Sequence, residues 1–184
     1  LREKFGLQDS IKFLFAKPGL DGILEPTFEG DAKGFMHNAN ICFSHPWMAK
    51  LYNSVDVHIN SSSGESFGLP ILESLSCGIP NIGPNFGAVP ELILGTGGGI
   101  VAKIKNTIMT PLLSEISYVE EEDLAEGINM FYKDKDLRIK MSKNAVENTK
   151  FYDWKEVSKM WIALTEKVKQ DKLVCNYNTG ILGV

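Results

Sequence analysis

Two glutamates, Glu65 and Glu73, stand on either side of a Gly-Leu-Pro step. A carboxylate accepts two hydrogen bonds at once, so each glutamate can bind a pair of neighbouring hydroxyl groups. Gly68 lets a ligand approach the backbone closely, and the N–H groups near Phe67 and Leu69 would form an anion site at the start of a helix. A phosphate site between two diol-binding carboxylates matches the chemistry of a nucleotide-sugar.

A strand, a loop and a helix are predicted to position these glutamates. Residues 55–60 form an apolar-rich run that is typical of a strand, and a helix is predicted over residues 69–77. A proline suits the first turn of this helix, because its missing N–H is not needed there. Gly78 suits the position just past the helix end. Glu65 is therefore expected in the loop and Glu73 about one turn inside the helix.

Taken alone, two glutamates at this spacing are more often solvated than ligand-binding. The surrounding residues reverse that expectation, because they resemble the E-x7-E signature of retaining GT-B glycosyltransferases. The matching run is Glu65-Ser-Phe-Gly-Leu-Pro-Ile-Leu-Glu73-Ser-Leu-Ser-Cys-Gly-Ile-Pro80. Residues 51–56 are similar to the family's helix before the strand, and residues 87–91 to its Gly-Gly-x-Pro-Glu turn. Weaker similarity covers residues 11–168.

This resemblance implies a donor-binding domain of an enzyme that transfers a sugar, such as a hexose, from a nucleotide-diphospho-sugar with retention. It implies Glu65 as the catalytic residue, which holds sugar hydroxyls, and Glu73 as the residue that binds the ribose diol. No metal and no cofactor beyond the donor substrate are implied. The donor-binding residues are implied to be Glu65, Ser66, Phe67, Gly68, Leu69 and Glu73.

A second loop is implied to receive the nucleobase, largely through backbone groups. It contains Phe43, Ser44 and His45. An ordinary helix N-cap by Ser44 explains the same residues about as well. A histidine in a loop is also more often simply solvated.

Alternating strand and helix patterns predict an α/β fold. The expectation is a Rossmann-like open parallel sheet with helices on both faces, which the resemblance places as the C-terminal domain of a GT-B fold. One domain is predicted over residues 1–170, without the family's first strand–helix unit, and a tail over 171–184. Strands are expected over residues 11–16, 41–44, 55–60, 80–83 and 99–102. Helices are expected over residues 1–6, 46–54, 69–77, 89–94, 120–132, 135–150 and 154–170.

In a parallel sheet, ligands bind beyond the carboxyl ends of the strands. The loops after Ala16, Phe43, Asn60 and Ile82 are therefore expected around one crevice. The third of these loops contains Glu65, in agreement with the motif. His58, inside the strand before it, is predicted to be a packed, hydrogen-bonded core residue.

Composition excludes several other functions. Lysine and arginine total 19 against 23 acidic residues, a formal net charge of -4, so no basic surface indicates nucleic-acid binding. No apolar run reaches the roughly 18 residues of a membrane span. Cys42, Cys77 and Cys175 lack metal-ligand spacing and fit a reduced, cytoplasmic protein, the first two as buried apolar residues. Asp134 and Asp136 resemble a metal-binding pair but are expected in a solvated turn between helices.

The sequence also departs from the resembling family. The Arg and Lys that neutralise the diphosphate in typical donor domains have no counterpart here, and neither has the acceptor-binding N-terminal domain. We therefore expect part of a larger enzyme, inactive by itself, whose partners are that N-terminal domain and a sugar, lipid or protein acceptor. Two alternatives stay open, a nucleotide-sugar epimerase-like enzyme and a non-catalytic nucleotide-sugar-binding or interaction module.

The last predicted helix has an apolar stripe. Its members are Phe151, Trp154, Trp161, Leu164 and Val168. In the resembling family this segment packs on the N-terminal domain, which implies an interface here. The alternative is that the stripe belongs to the core of this domain.

Overall fold

The computed structural model describes residues 3–7, 9–12, 15–18, 24–27 and 44–170. The chain divides into two compact units, Leu1–Met48 and Ala49–Val184. The predicted tail over residues 171–184 lies outside the described residues.

In the first unit, β1 (Phe15–Pro18) pairs antiparallel with β2 (Leu24–Thr27). The first strand was predicted over residues 11–16, and these bounds are wrong. It was also predicted to join a parallel sheet, but among the described residues it pairs only with β2, in the antiparallel direction. The predicted helix over residues 1–6 is wrong from residue 3 onward, where the chain forms turns. Most of the strand expected over residues 41–44 lies outside the described residues.

The second unit is built on a three-stranded parallel sheet, which runs in the order β3 (His58–Ile59), β4 (Asn81–Pro84) and β5 (Gly99–Ala102). The last two strands match their predicted positions closely. The first is shorter than predicted because the Val55 N–H donates to the Tyr52 carbonyl at 3.2 Å and closes the preceding helix. That N–H is then unavailable for pairing with a strand.

Helices pack on both faces of the sheet, as predicted. Ile82 of β4 lies against Gly127 in a helix on one face, whereas a Cβ at Gly83 would meet Val89 and Ile93 of another helix. Successive residues of a strand point to opposite faces, so these two helices lie on opposite sides of the sheet. The α/β fold class is therefore confirmed.

The helices follow the predicted bounds within a few residues. They are α1 (His45–Tyr52), α2 (Leu69–Ser76), α3 (Val89–Thr96), α4 (Glu121–Lys133), α5 (Lys135–Thr149) and α6 (Trp154–Gln170), with a single 3₁₀ turn, Lys150–Tyr152, before the last. Across the described part of the chain, every helix falls short of the length or the apolar character that a membrane crossing demands.

The core of the second unit lies between α2, α3 and α5. Its fully or almost fully buried members are Ile71, Leu75, Val89, Leu92, Ile93 and Ala145. Each large side chain in this set stabilises the fold by about 1.5–3 kcal/mol through its burial. Because α2 is held by this core, its first turn has a fixed position relative to the sheet.

One element was not predicted. An antiparallel hairpin, β6 (Ile104–Met109) and β7 (Glu115–Val119), follows directly after β5. A bulge between Ile104 and Asn106 shifts its register. Every residue of β6 after Ile104 is exposed, so no buried face imposes the alternation of polar and apolar residues by which a strand is identified in a sequence.

Candidate functional site

The start of α2 has the geometry of an anion site. Gly68 precedes this helix with φ of 91°, and its carbonyl accepts hydrogen bonds from Ile71 and Leu72. Among the described residues, the N–H groups of Phe67, Gly68 and Leu69 find no hydrogen-bond acceptor. These donors and the positive end of the helix dipole can together bind a phosphate.

Phe67 supports this turn from one side. Its ring meets that of Tyr152 edge-to-face at 6.2 Å, and Tyr152 in turn packs against the core under α2. Phe67 stays partly exposed, as does Leu69. The turn is thus anchored on the side that faces the core, while the side that faces solvent remains open to a ligand.

The loop that contains Glu65 is fixed by its backbone. The Glu65 carbonyl accepts a hydrogen bond from the Ala88 N–H at 3.1 Å. This contact requires a glycine at position 87, where φ is 60° and a Cβ would lie 2.8 Å from the Glu65 carbonyl oxygen. The predicted turn at residues 87–91 therefore acts on the motif directly, by holding the backbone of Glu65.

Two further contacts hold the beginning of this loop. The Ser62 N–H donates to Asn60 Oδ1 at 2.8 Å. The Ser63 carbonyl accepts a hydrogen bond from the Ser117 N–H at 2.7 Å. The β6–β7 hairpin is therefore attached to the loop that contains Glu65, called the motif loop below. The loop follows β3 as predicted, with Glu65 at the carboxyl edge of the sheet.

The side chain of Glu65 is half-buried. Its carboxylate has no hydrogen bond and no ion pair with any described residue. Both oxygens are therefore available to a ligand. Ser66 beside it is exposed.

Glu73 is exposed on α2, and Tyr52 positions it. The Tyr52 hydroxyl donates to Glu73 Oε2 at 3.1 Å, and only 7% of Tyr52 is exposed. Burial, together with the hydrogen bond to Glu73, raises the pKa of Tyr52 to about 12, so the phenol remains a donor at neutral pH. Burial and the Glu73 charge also raise the pKa of Cys77, which is half-buried.

A buried polar network lies beneath these residues. His58 Nδ1 lies 2.6 Å from Asn81 Oδ1, and Asn81 Nδ2 donates to Ser74 Oγ at 2.6 Å. The ring of His58 also meets Tyr52 edge-to-face at 5.9 Å. The hydrogen bond predicted for His58 is confirmed, whereas its predicted place in the core is wrong, because the residue is half-buried in a strand of two residues. The network joins α2 to two strands and so restricts the movement of the helix that carries Glu73.

Sequence reasoning assigned no role to Tyr52. Its segment, residues 51–56, was expected only to be similar to the family's helix before the strand. Its partner stands 21 positions further along the chain. No local pattern reports a contact over that separation.

The predicted nucleobase loop is only partly described. Phe43 lies outside the described residues, whereas Ser44 and His45 are exposed at the start of α1. Both belong to the first unit. Their contact with a nucleobase stays a prediction.

The aspartate pair that resembled a metal motif has a structural role. Asp134 Oδ1 accepts a hydrogen bond from the Leu137 N–H at 2.8 Å and caps α5. The predicted turn is confirmed for Asp134 but is wrong for Asp136, which lies in the first turn of α5. The carboxylates of residues 120–122 lie within 4.8 Å of one another. The Lys105 ammonium lies 2.8 Å from Glu121, so these carboxylates already have a cation beside them.

Comparison with known proteins identifies the family. The sequence profile of the glycosyl transferases group 1 matches residues 32–148, more than half of the chain. The chain belongs to the group 1 glycosyl transferases. This confirms the family that the E-x7-E run indicated.

Two curated relatives are much longer than the part of them that this chain matches. N-acetyl-alpha-D-glucosaminyl L-malate synthase of Bacillus anthracis is 28% identical over 132 residues, covering 72% of this chain and 27% of that enzyme. Sulfoquinovosyl transferase SQD2 of Arabidopsis thaliana is 26% identical over 125 residues, covering 68% of this chain and 21% of that enzyme. The chain thus matches about a quarter of the length of these relatives.

A solved structure has a similar fold. Sucrose-phosphate synthase from Thermosynechococcus elongatus superposes with a TM-score of 0.56 at 19% identity, over 70% of this chain and 29% of that one. At this identity the similarity concerns the fold alone.

Proposed function

We propose that this chain binds the nucleotide-diphospho-sugar donor of a retaining glycosyltransferase. One observation carries this proposal. The unpaired N–H groups around Gly68 stand between Glu65 and Glu73 in the sequence, and the backbones of both glutamates are held in place. Phe67, Gly68 and Leu69 would bind the diphosphate. In the complete enzyme, the same donors would stabilise the negative charge that develops on the departing diphosphate.

The two glutamates take different parts in this proposal. Glu65 is the catalytic residue and holds hydroxyls of the transferred sugar, for which its carboxylate oxygens are available, with Ser66 beside it. Glu73 binds the ribose diol. Its Oε2 already accepts a hydrogen bond from Tyr52, so Oε1 faces the ligand with a defined orientation.

Transfer itself is proposed for a larger assembly. An acceptor-binding N-terminal domain would bring a sugar, lipid or protein acceptor to the bound donor. The two relatives are named an N-acetyl-alpha-D-glucosaminyl L-malate synthase and a sulfoquinovosyl transferase, so their names alone do not assign a sugar or an acceptor to this chain. We expect the isolated chain to bind donor without turnover.

Calorimetric titration tests donor binding. The chain is titrated with uridine, guanosine and adenosine diphosphates and with the corresponding nucleotide-sugars. Glu73→Gln should weaken every ligand that binds, by about tenfold or more, because a hydrogen bond to a charged group contributes about 1.5–3 kcal/mol. Glu65→Ala should weaken the nucleotide-sugar more than the bare nucleotide.

Glu166→Gln is the matched control, because it removes an exposed carboxylate from α6, far along the chain from the motif. Its affinities should equal those of the wild type. Equal losses for both ligands in Glu65→Ala would show a structural role for Glu65. Absence of heat with every nucleotide would favour the non-catalytic interaction module.

A further inference from the structure

The hairpin tip, residues 108–113, is an exposed apolar surface. Among all large apolar side chains in the described part of the chain, Leu112 and Leu113 are the most exposed, at 89% and 85%. Ile108 and Met109 beside them are also exposed. Single exposed leucines are ordinary, but adjacent ones at the end of a projecting element indicate a binding surface.

The backbone at Leu113 shows that the leucine is not required by the turn. Its φ is 57°, in the left-handed region. Glycine or asparagine adopts this conformation more easily, whereas a side chain such as leucine is strained there. A leucine at this position weakens the turn, so its presence calls for a reason outside the stability of the hairpin.

Most backbone N–H groups of the tip are paired within the hairpin. The Thr110 N–H donates to the Ser114 carbonyl at 2.8 Å, and the Leu113 N–H donates to the Thr110 carbonyl at 3.0 Å. The hydroxyls of Thr110 and Ser114 lie 2.7 Å apart, and Pro111 has no N–H to satisfy. The carbonyls of Pro111, Leu112 and Leu113 find no donor among the described residues, so the backbone of the tip would stay at the hydrated surface of an apolar medium while the leucine side chains enter it.

Charge at the tip end of the hairpin is limited to Glu115, which pairs with Met109 at the start of β7. Residues 106–114 carry none. Near the base, the Lys103 ammonium lies 3.0 Å from Asp123 and the Lys105 ammonium 2.8 Å from Glu121, so both lysines are paired. The tip therefore offers a partner apolar contact without electrostatic attraction.

The size of the tip favours lipid over protein as the partner. Its four apolar side chains expose on the order of a few hundred Å², whereas a stable protein interface buries about 800 Å² on each partner. A lipid surface needs no matching shape and accepts individual apolar side chains. We propose that the hairpin tip inserts Leu112 and Leu113 into the apolar part of a lipid bilayer.

The hairpin has a definite place relative to the motif. It begins directly after β5, at the carboxyl edge of the parallel sheet, and the Ser117 N–H bonds the Ser63 carbonyl of the loop that carries Glu65. Insertion of the tip would hold this edge, with the candidate donor site, next to the membrane. Two strand residues, Glu115 and Ile116, lie between Ser117 and the turn that ends at Ser114, a distance of about 10 Å along the strand.

Vesicle flotation tests this assignment. The chain is mixed with phosphatidylcholine vesicles over a range of lipid concentrations, at low and at high salt. The wild type should float with the vesicles, and equally well at both salt concentrations because the contact is apolar. The double variant Leu112→Ser, Leu113→Asn should lower the apparent partition coefficient by about tenfold or more. Asparagine at position 113 suits the turn, so the variant should fold.

Two control variants make the result specific. Leu94→Ser combined with Tyr132→Ser removes two exposed apolar side chains outside the hairpin and should float like the wild type. Trp161→Glu tests the apolar stripe of α6 and should also leave flotation unchanged. Circular dichroism and thermal unfolding check that each variant is folded.

Several outcomes overturn the proposal. The wild type fails to float, the tip variant floats as well as the wild type, or Trp161→Glu alone abolishes flotation and so assigns the lipid surface to α6. If the tip variant instead changes only the elution volume in size-exclusion chromatography, the tip is a contact between copies of the chain. Nucleotide titration is a separate measurement, so failure here leaves the donor-binding proposal unaffected.

Discussion

The hydroxyl of Tyr52 donates a hydrogen bond of 3.1 Å to Glu73, across 21 positions of the chain. One partner is buried in the second unit and the other is exposed on α2. The bond fixes one carboxylate oxygen of Glu73 and leaves the other free. A preorganised carboxylate loses less conformational freedom when it binds a diol, which favours affinity.

Tyr52→Phe should therefore weaken nucleotide diphosphate binding by about three- to tenfold while the chain stays folded. The variant removes one hydrogen bond to a charged group and leaves the ring in its packed position. Calorimetric titration measures the loss. Tyr132→Phe, which alters an exposed tyrosine on α4, is the matched control. Unchanged affinity in Tyr52→Phe would show that Glu73 needs no positioning partner.

Stability should depend on Tyr52 at alkaline pH. The pKa of Tyr52 is raised from its usual value near 10 to about 12 in the folded chain, so folding favours the protonated phenol. This contribution is complete below a pH of about 10 and is lost as the pH rises towards 12. Urea unfolding on either side of this range should show a steeper loss of stability for the wild type than for Tyr52→Phe. Parallel curves for the two proteins would contradict the shift.

Gly87→Ala should disturb the motif loop. The added Cβ would lie 2.8 Å from the Glu65 carbonyl oxygen, at a backbone φ of 60° that alanine rarely adopts. We expect a loss of about 1–3 kcal/mol in the free energy of unfolding and weaker nucleotide-sugar binding. Gly95→Ala is the control, because its Cβ would meet nothing within 4 Å and alanine suits a helix. Equal stability of the two variants would argue against a strained contact at position 87.

The apolar stripe of α6 is exposed, which rules out the core alternative for its described members. Trp154 is 80% exposed and Trp161 62%. We expect the isolated chain to self-associate through this stripe, and Trp161→Glu to reduce the association with a change in stability below about 0.5 kcal/mol. Light scattering and thermal unfolding measure the two effects. Ala163→Glu places the same charge on the opposite side of the helix and should leave association unchanged. A monodisperse wild type would refute this expectation.

Much of the second unit could be predicted because its signals are local. Pro70 in the first turn and Gly78 just after the end place α2 within one residue, and Gly78 has the positive φ of 78° that this position favours. The helical spacing of apolar residues gave α6 its correct bounds. The motif residues themselves identified the family. Each of these signals acts over a few neighbouring residues, where the chain itself fixes the geometry.

Only the tertiary structure decided the contacts that make the site. The antiparallel pairing of β1 with β2, the hydrogen bond from Tyr52 to Glu73 and the contact of Ser117 with Ser63 were not predicted. The last two join residues far apart in the chain. Their formation depends on how helices and strands pack around the core, and a pattern read within one segment contains no information about that packing. The sequence thus determined which residues could bind a donor, and the packing decided how they are held.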